Sequence, residues 1–185
     1  MPAVPETKAT WTNDVDALDS TNLNAYLRDP VRFLMRKPSA MLRQATNQAI
    51  ANNTWTALTF GVEDWDDDPD GVGGHSTSSN TSRYTARYPG IYLLGGGVGW
   101  AASNAGVRGS RWARNGTALN GSSTLEPPTA SGTAYYAARA IRVELDEGDF
   151  VELFAFQNSG GSLSTTVATS EQPSMAVDWD RLIVA

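Results

Sequence analysis

The sequence predicts an all-β fold, a sandwich, jelly roll or small barrel, preceded by a short helical segment. Two observations carry this. Short apolar runs of strand length recur along most of the chain, separated by clusters of Gly, Asn, Ser, Thr and Asp. Several of these runs also alternate with period two, as in Ile141-Arg-Val-Glu-Leu145. Among 185 residues there are 17 glycines and 41% hydrophobic residues, which is enough apolar material for one sizeable core and enough glycine for many turns.

The first segment, residues 1–40, is set apart by its pattern. Met1 to Asp19 contains Pro2, Pro5 and the acids Asp14, Asp16 and Asp19, and reads as extended. Helical spacing then begins at Leu23, Tyr26 and Leu27, with Ser20 or Thr21 as the cap. Asp29-Pro30 interrupts the pattern, because the residue before a proline avoids the α region. Val31, Phe33 and Leu34 resume the apolar stripe, and Pro38 closes it. Such a segment is too short to fold alone, so its stripe needs a partner surface.

Residues 41–185 form the second unit. Strands are expected at Trp55–Phe60, Arg83–Arg87, Gly90–Ala101, Val107–Arg114, Ala134–Leu145, Phe150–Gln157, Leu163–Thr169 and Met175–Trp179. The intervening loops are Asp64–Asn80 and Gly121–Gly132, and the tight turns fall at Asn115-Gly116, Asp146–Asp149 and Asn158–Gly161. One strand is unusual. Phe150, Phe154 and Phe156 lie on one face, and Val151, Leu153 and Ala155 on the other. A strand apolar on both sides needs two covers, and a subunit contact is one way to supply the second. Tyr92 and Leu94 opposite Ile91 and Leu93 repeat the signal. The competing cover is the N-terminal segment or a long loop.

Charge and composition narrow the function. The formal net charge is -6, which disfavours a nucleic-acid partner. There is no cysteine, hence no disulfide or thiolate metal site. No apolar run reaches membrane-spanning length, and the first residues show no secretory pattern, so synthesis in a cytoplasm without membrane insertion is expected. His75 is the only histidine, and no serine sits in a nucleophile-elbow motif, so an enzyme is not expected. Glu152 lies on the aromatic face of its strand and requires a cation nearby, with Arg111, Arg139 and Arg142 as candidates. Trp100, Trp112, Tyr135 and Tyr136 read as packing residues in preference to a sugar-stacking surface. The glycine run Gly95–Gly99 lacks the lysine of a phosphate loop and reads as a place of close backbone approach. The acids Asp64, Asp66, Asp68 and Asp70 match the first half of a calcium loop, but Thr77 stands where the bidentate glutamate belongs. They are candidate calcium ligands beside the plainer reading of a solvated turn; no other cofactor is indicated.

The ordered set Gly90-Ile91-Tyr92, Asn115-Gly116 and Leu145-x-x-Gly148-Asp149-x-Val151-x-Leu153 resembles the C1q/TNF-like jelly roll over Met41–Ala185. That resemblance implies a homotrimer with apolar, mostly aromatic residues near its threefold axis, here Tyr92, Leu94, Phe150, Phe154 and Phe156. The ending Ser174–Trp179 lacks the family's phenylalanine-glycine pair, which leaves the partners of the last strand open. The N-terminal segment, Thr10-Trp11-Thr12 followed by Asp19–Asp29 and then Asn52-Asn53-Thr54-Trp55-Thr56, resembles virion proteins of actinobacterial phages. This second resemblance implies a structural protein on the particle exterior. It would be a head decoration or minor capsid protein, or else a minor tail protein binding host-surface carbohydrate. Trp11, Leu23, Tyr26, Leu27, Phe33 and Leu34 are the expected anchor onto capsid or tail proteins.

Overall fold

The computed structural model describes residues 3–12, 15–17, 19–129, 132–168 and 170–183. Asp14, Thr169 and Val184 lie outside them. After an extended start, the chain forms one continuous helical rod. It opens as an α-helix over Ser20–Leu23, widens to a π-helix over Asn24–Arg28, and ends as an α-helix over Asp29–Met35. Asp19 is the cap, accepting a hydrogen bond from the Asn22 backbone N–H at 2.8 Å, one residue before the expected positions. The expected break at Asp29-Pro30 does not occur. Pro30 lacks an N–H and crowds the carbonyl four residues back, and the wider turn just before it relieves both problems.

Among the described residues fourteen strands follow: β1 Ser39–Arg43, β2 Ala49–Ile50, β3 Thr56–Ala57, β4 Val62–Asp67, β5 Arg83–Thr85, β6 Gly90–Trp100 and β7 Arg108–Arg114, then β8 Thr117–Ala118, β9 Thr124–Glu126, β10 Ala134–Ala137, β11 Ile141–Leu145, β12 Phe150–Gln157, β13 Leu163–Ser164 and β14 Ser174–Arg181. They make two six-stranded antiparallel sheets. In the first, β10 and β11 pair in succession along β6, followed by β14, β1 and β4. In the second, β3 and β5 pair along β12, followed by β7 with β8 and β9. A small β13–β2 ribbon stands apart. The last strand, whose partners the sequence left open, lies between β1 and β6.

Several expected elements change shape. Trp55–Phe60 contributes only the two residues of β3, Ala134–Leu145 breaks into β10 and β11, and Leu163 keeps only a two-residue strand. The expected loops at Asp64–Asn80 and Gly121–Gly132 contain the end of β4 and all of β9. The turn at Asn115-Gly116 is as expected, with φ of 51° and 77° at the two residues, the positive pair that a tight hairpin requires.

The core lies between the sheets. Tyr92, Leu94 and Val98 of β6, Met175, Val177 and Trp179 of β14, and Ala40 and Leu42 of β1 face Trp112 of β7 and Val151, Leu153 and Ala155 of β12. The doubly apolar strand β12 is therefore split: its valine–leucine–alanine face is core, and its phenylalanine face is outside. Two buried polar side chains are matched locally, while Trp100 Nε1 is buried without a partner. Arg108 is buried and among the described residues carries no carboxylate partner; its guanidinium donates to the carbonyls of Ala105, Val107 and Ser103 at 2.9, 3.1 and 3.1 Å, which pins the preceding loop. Gln157 donates to the Ile50 and Gly161 carbonyls at 2.9 and 2.8 Å and joins the ribbon to β12. The glycine run on β6 is a place of close approach: a Cβ at Gly99 would lie 1.5 Å from the Glu171 carbonyl oxygen, and one at Gly97 2.5 Å from the Tyr135 ring.

The helical rod closes one end of the sandwich through one aromatic side chain, with Pro30 buried beside it. Phe33, 3% exposed, meets Trp179 and Tyr88 edge-on, with ring centroids 4.8 and 5.2 Å away. Phe33→Ala is expected to lower the unfolding free energy by about 3–5 kcal/mol, whereas Leu27→Ala, on the exposed face, stays within about 0.5 kcal/mol. Urea unfolding of the full chain measures both.

Candidate functional site

Three surfaces hold the residues singled out from the sequence. The first is the rod. Leu23, Leu27 and Leu34, with Val31 and Met35, form an apolar stripe open to solvent; Met35 is 83% and Leu34 64% exposed. Tyr26 and Trp11 are in edge contact at 6.1 Å, and the Lys8 ammonium lies over both rings, which lays the extended start along the helix. Lys8 also pairs with Asp16, and that contact with the ammonium holds the Asp16 carboxyl below the usual carboxylate range. Phe33 belongs to a different set from the rest of the expected anchor: it is spent on the chain's own sandwich and is not free for an outside surface. Beside it, Val4, Pro5, Pro30, Leu34 and Ile183 line a groove of about 530 Å³.

The second surface is the acidic stretch. Its four aspartates do not converge. Asp64 is bound by Arg43, Asp66 accepts from the N–H groups of Gly74 and His75 at 3.0 and 2.7 Å, and Asp68 accepts from those of Asp70 and Val72 at 2.9 and 3.1 Å. Asp68 is buried and its other oxygen lies 2.7 Å from Arg87 Nε, while Asp70 meets the same guanidinium at 3.4 Å. Among the described residues no three His, Asp or Glu side chains gather as a metal cage. The carboxylates work as turn caps and ion-pair partners. His75 is a lock on this stretch: its two ring nitrogens lie 2.7 and 3.0 Å from the Arg83 and Phe60 carbonyl oxygens.

The third surface comprises the outward faces of the two sheets. Here the expected interface residues separate. Tyr92 and Leu94 are fully buried inside the sandwich, with the Tyr92 hydroxyl donating to the Tyr88 carbonyl at 2.7 Å and burial raising its pKa well above the usual phenol range. Period two then turns Ile91 and Leu93 outward instead. Phe150, Phe154 and Phe156 do face outward, but on the opposite sheet, and side chains of the same chain partly cover them. Arg83 stacks on Phe150 at 4.0 Å, Arg111 lies 5.5 Å from Phe154, and Trp55 lies 5.0 Å from Phe156. Glu152, between them, accepts from Ser82 at 2.6 Å and faces Arg83 at 3.6 Å; none of the three arginines expected from the sequence reaches it.

On the outward face of the first sheet the sequence signal was confined to Ile91 and Leu93 of β6. One row runs Trp65, Met41, Ala176, Gly95 across β4, β1, β14 and β6, and the next runs Asp67, Ser39, Asp178, Leu93, Arg142. A Cβ at Gly95 would meet nothing within 4 Å. The face is apolar along its first row, with the small residues Ala176 and Gly95 on its central strands. Three ion pairs rim it: Arg36–Asp67 at 2.6 Å, Arg43–Asp64 at 2.6 Å and Arg142–Asp180 at 3.0 Å. Partial desolvation by the sheet raises the Asp178 pKa. Trp100 and Trp112 are core residues, and Trp112 Nε1 donates to the Arg139 carbonyl at 2.8 Å.

No family model and no curated protein matches the sequence. Solved structures do match. The crystal structure of murine APRIL at pH 8.5 superposes with a TM-score of 0.53 at 13% identity, covering 76% of this chain and 98% of that one. The structure of Eiger TNF from S. frugiperda gives 0.51 at 12% identity, over 80% and 97%. Murine APRIL at pH 5.0 gives 0.50 at 14%, over 76% and 98%. At such identities the likeness is one of fold. The share of the chain that matches is close to the length of the sandwich, and the fold is an all-β, C1q/TNF-like jelly roll.

Proposed function

We propose that the chain is a non-enzymatic structural protein, a homotrimeric jelly roll carried on the exterior of a phage particle as a head decoration or minor capsid protein. The observation that carries the trimer is the outward face of the first sheet, where Leu93, Gly95, Ala176 and Met41 form an apolar patch beside Asp178, bordered by three ion pairs. An apolar centre with a charged rim is the anatomy of a protein–protein interface. The proposed contact thus moves from the residues expected at the axis to their neighbours on the other side of the sandwich. The non-catalytic reading is supported by the acidic stretch, whose Asp64, Asp66, Asp68 and Asp70 are engaged by arginines and backbone N–H groups. The virion role rests on the resemblance of the N-terminal segment to phage proteins, together with the open stripe of Leu23, Leu27, Val31, Leu34 and Met35, which suits seating on capsid or tail proteins. The same geometry serves a minor tail protein that meets host-surface carbohydrate.

Sedimentation equilibrium of the full chain is expected to give the mass of three chains. Ala176→Arg, which drives a charge into the centre of the face, is expected to give a folded monomer. A wild-type monomer at tens of micromolar would remove the trimer. Cryo-electron microscopy of purified virions is expected to show the trimers on the head lattice; density confined to the tail would instead assign the tail role.

Asp178 makes the association pH-dependent. Its carboxyl is held above the ordinary range by desolvation, so the folded chain binds this proton more tightly than the unfolded chain does. Its destabilising charge is therefore present at neutral pH and is lost as pH falls through the raised folded-state value. Burial in a subunit contact accentuates this. Trimer affinity is expected to rise as pH drops from neutrality toward the carboxylate range. Asp178→Asn is expected to flatten that rise, as read by sedimentation across pH. The charged groups around it, Arg142 with Asp180 and Arg36 with Asp67, are already paired and set the lower limit, where their protonation begins to undo the rim.

A further inference from the structure

We propose that the outward face of the second sheet holds a binding site for a carboxylate-bearing sugar, centred on Arg111 and Trp55. This deepens the host-facing reading of the module and does not depend on the trimer. The Arg111 guanidinium lies 4.3 Å from the Trp55 ring centre and 5.5 Å from that of Phe154. Trp55 in turn rests against Phe156 at 5.0 Å. The sheet makes room for this stack by placing Gly109 opposite Phe156: a Cβ there would come within 3.2 Å of the Trp55 ring and 2.8 Å of Leu125.

What the stack leaves unexplained is Arg111's hydrogen bonding. Its Nε is buried without a hydrogen-bond partner, as are those of Arg83 and Arg87, but those two face carboxylates, whereas among the described residues no carboxylate lies within ion-pair distance of Arg111. The chain is not short of acids, since Asp and Glu number 20 against 14 Lys and Arg. Arg28, Arg36, Arg43, Arg83, Arg87, Arg114 and Arg142 have acidic partners, and buried Arg108 is met by carbonyls; among the described residues Arg32, Arg139 and Arg181 also lack a carboxylate, but none of these three is stacked between rings as Arg111 is. Packing over Trp55 and Phe154 accounts for the covered faces of the guanidinium, but not for a buried Nε left without an acceptor. With its faces held by rings, the guanidinium offers its remaining N–H groups in one plane at its edge, the geometry that grips a carboxylate through two parallel hydrogen bonds.

The surroundings fit a sugar. The other outward cation, Arg83, is already paired with Glu152, so the site is one charge wide and does not suit a polyphosphate or nucleic-acid strand. Beside the cation stand the edge of Trp55 and the Leu125 side chain, 61% exposed, an apolar shelf for the C–H face of a pyranose ring. A uronic acid presents one carboxylate on such a ring.

The test is a titration of the full chain with a short uronic-acid oligosaccharide, read by tryptophan fluorescence and calorimetry. Its carboxyl-reduced neutral counterpart and an acidic peptide serve as controls. The uronate is expected to bind, and the neutral oligosaccharide to bind at least tenfold more weakly. Arg111→Lys, which keeps the charge but loses the planar fork, is expected to weaken binding about tenfold, and Arg111→Met, which keeps the aliphatic packing, to abolish it. Thermal melting confirms that each variant folds. Absence of uronate binding, equal binding by the Arg111 variants, or an Arg111-dependent preference for the peptide would each overturn the proposal. Sedimentation of the same samples reports the trimer separately, so either reading can fail while the other stands.

Discussion

The pairing of the first strand with the last fixes most of what this protein presents. β14 lies between β1 and β6, so residues 39–43 and 174–181, from opposite ends of the jelly roll, share the middle of one sheet. Their register decides both faces at once. It sends Ala40, Leu42, Met175 and Val177 inward, and Met41, Ala176 and Asp178 outward. A slip by one residue would put Asp178 in the core and Val177 in water, and the free-energy cost of that exchange is what locks the register. It also sets where the helical rod lands, because only three residues separate Met35 from β1. The rod is thereby held at the end of the sandwich, where Trp179, near the end of β14, receives Phe33.

The second sheet solves a different problem. β12 is apolar on both faces, and the chain covers the outer one with its own arginines and Trp55. Arginine suits this task because its flat, weakly hydrated guanidinium lies on an aromatic ring and still keeps its edge polar. Arg83 spends that edge on Glu152, which is buried at 6% exposure and would be costly without it. Arg111 has no such partner, and the difference between these two arginines, one strand apart from β12 on either side, is what separates a structural pair from a candidate recognition site.

Loops are held by polar locks that fold back onto backbone groups. His75 bridges two carbonyls, Asp66 and Asp68 each take two N–H groups, and Arg108 gathers three carbonyls. Asp149 works the same way at the β11–β12 turn. Its partial burial raises its pKa, but hydrogen bonds from Asn115, the Asp146 backbone and Arg114 outweigh this and leave it below the usual range. Without disulfides, side-chain-to-backbone bonds of this kind are what keep long connections in place.

Local pattern in the sequence was sufficient for the β class, the long strands β6, β7 and β12, the hairpin at Asn115-Gly116 and the helical stripe. Each of these depends on residues a few positions apart, where period two, period 3.6 and turn chemistry act directly. The C1q/TNF-like order of motifs was legible for the same reason. Tertiary structure alone decided which of two apolar faces turns inward. For β6 and β12 both alternatives look hydrophobic, and only the opposing sheet chooses Tyr92 and Leu94 for the core and leaves Phe154 outside. It decided that Pro30 sits within a helix, because a π turn and the docking of Phe33 compensate for it. It decided that the aspartates of the acidic stretch cap turns and pair with Arg43 and Arg87, which are distant in sequence. And it assembled the row Trp65, Met41, Ala176, Gly95 from four strands that share no motif, since a surface made of one residue per strand has no periodicity along the chain.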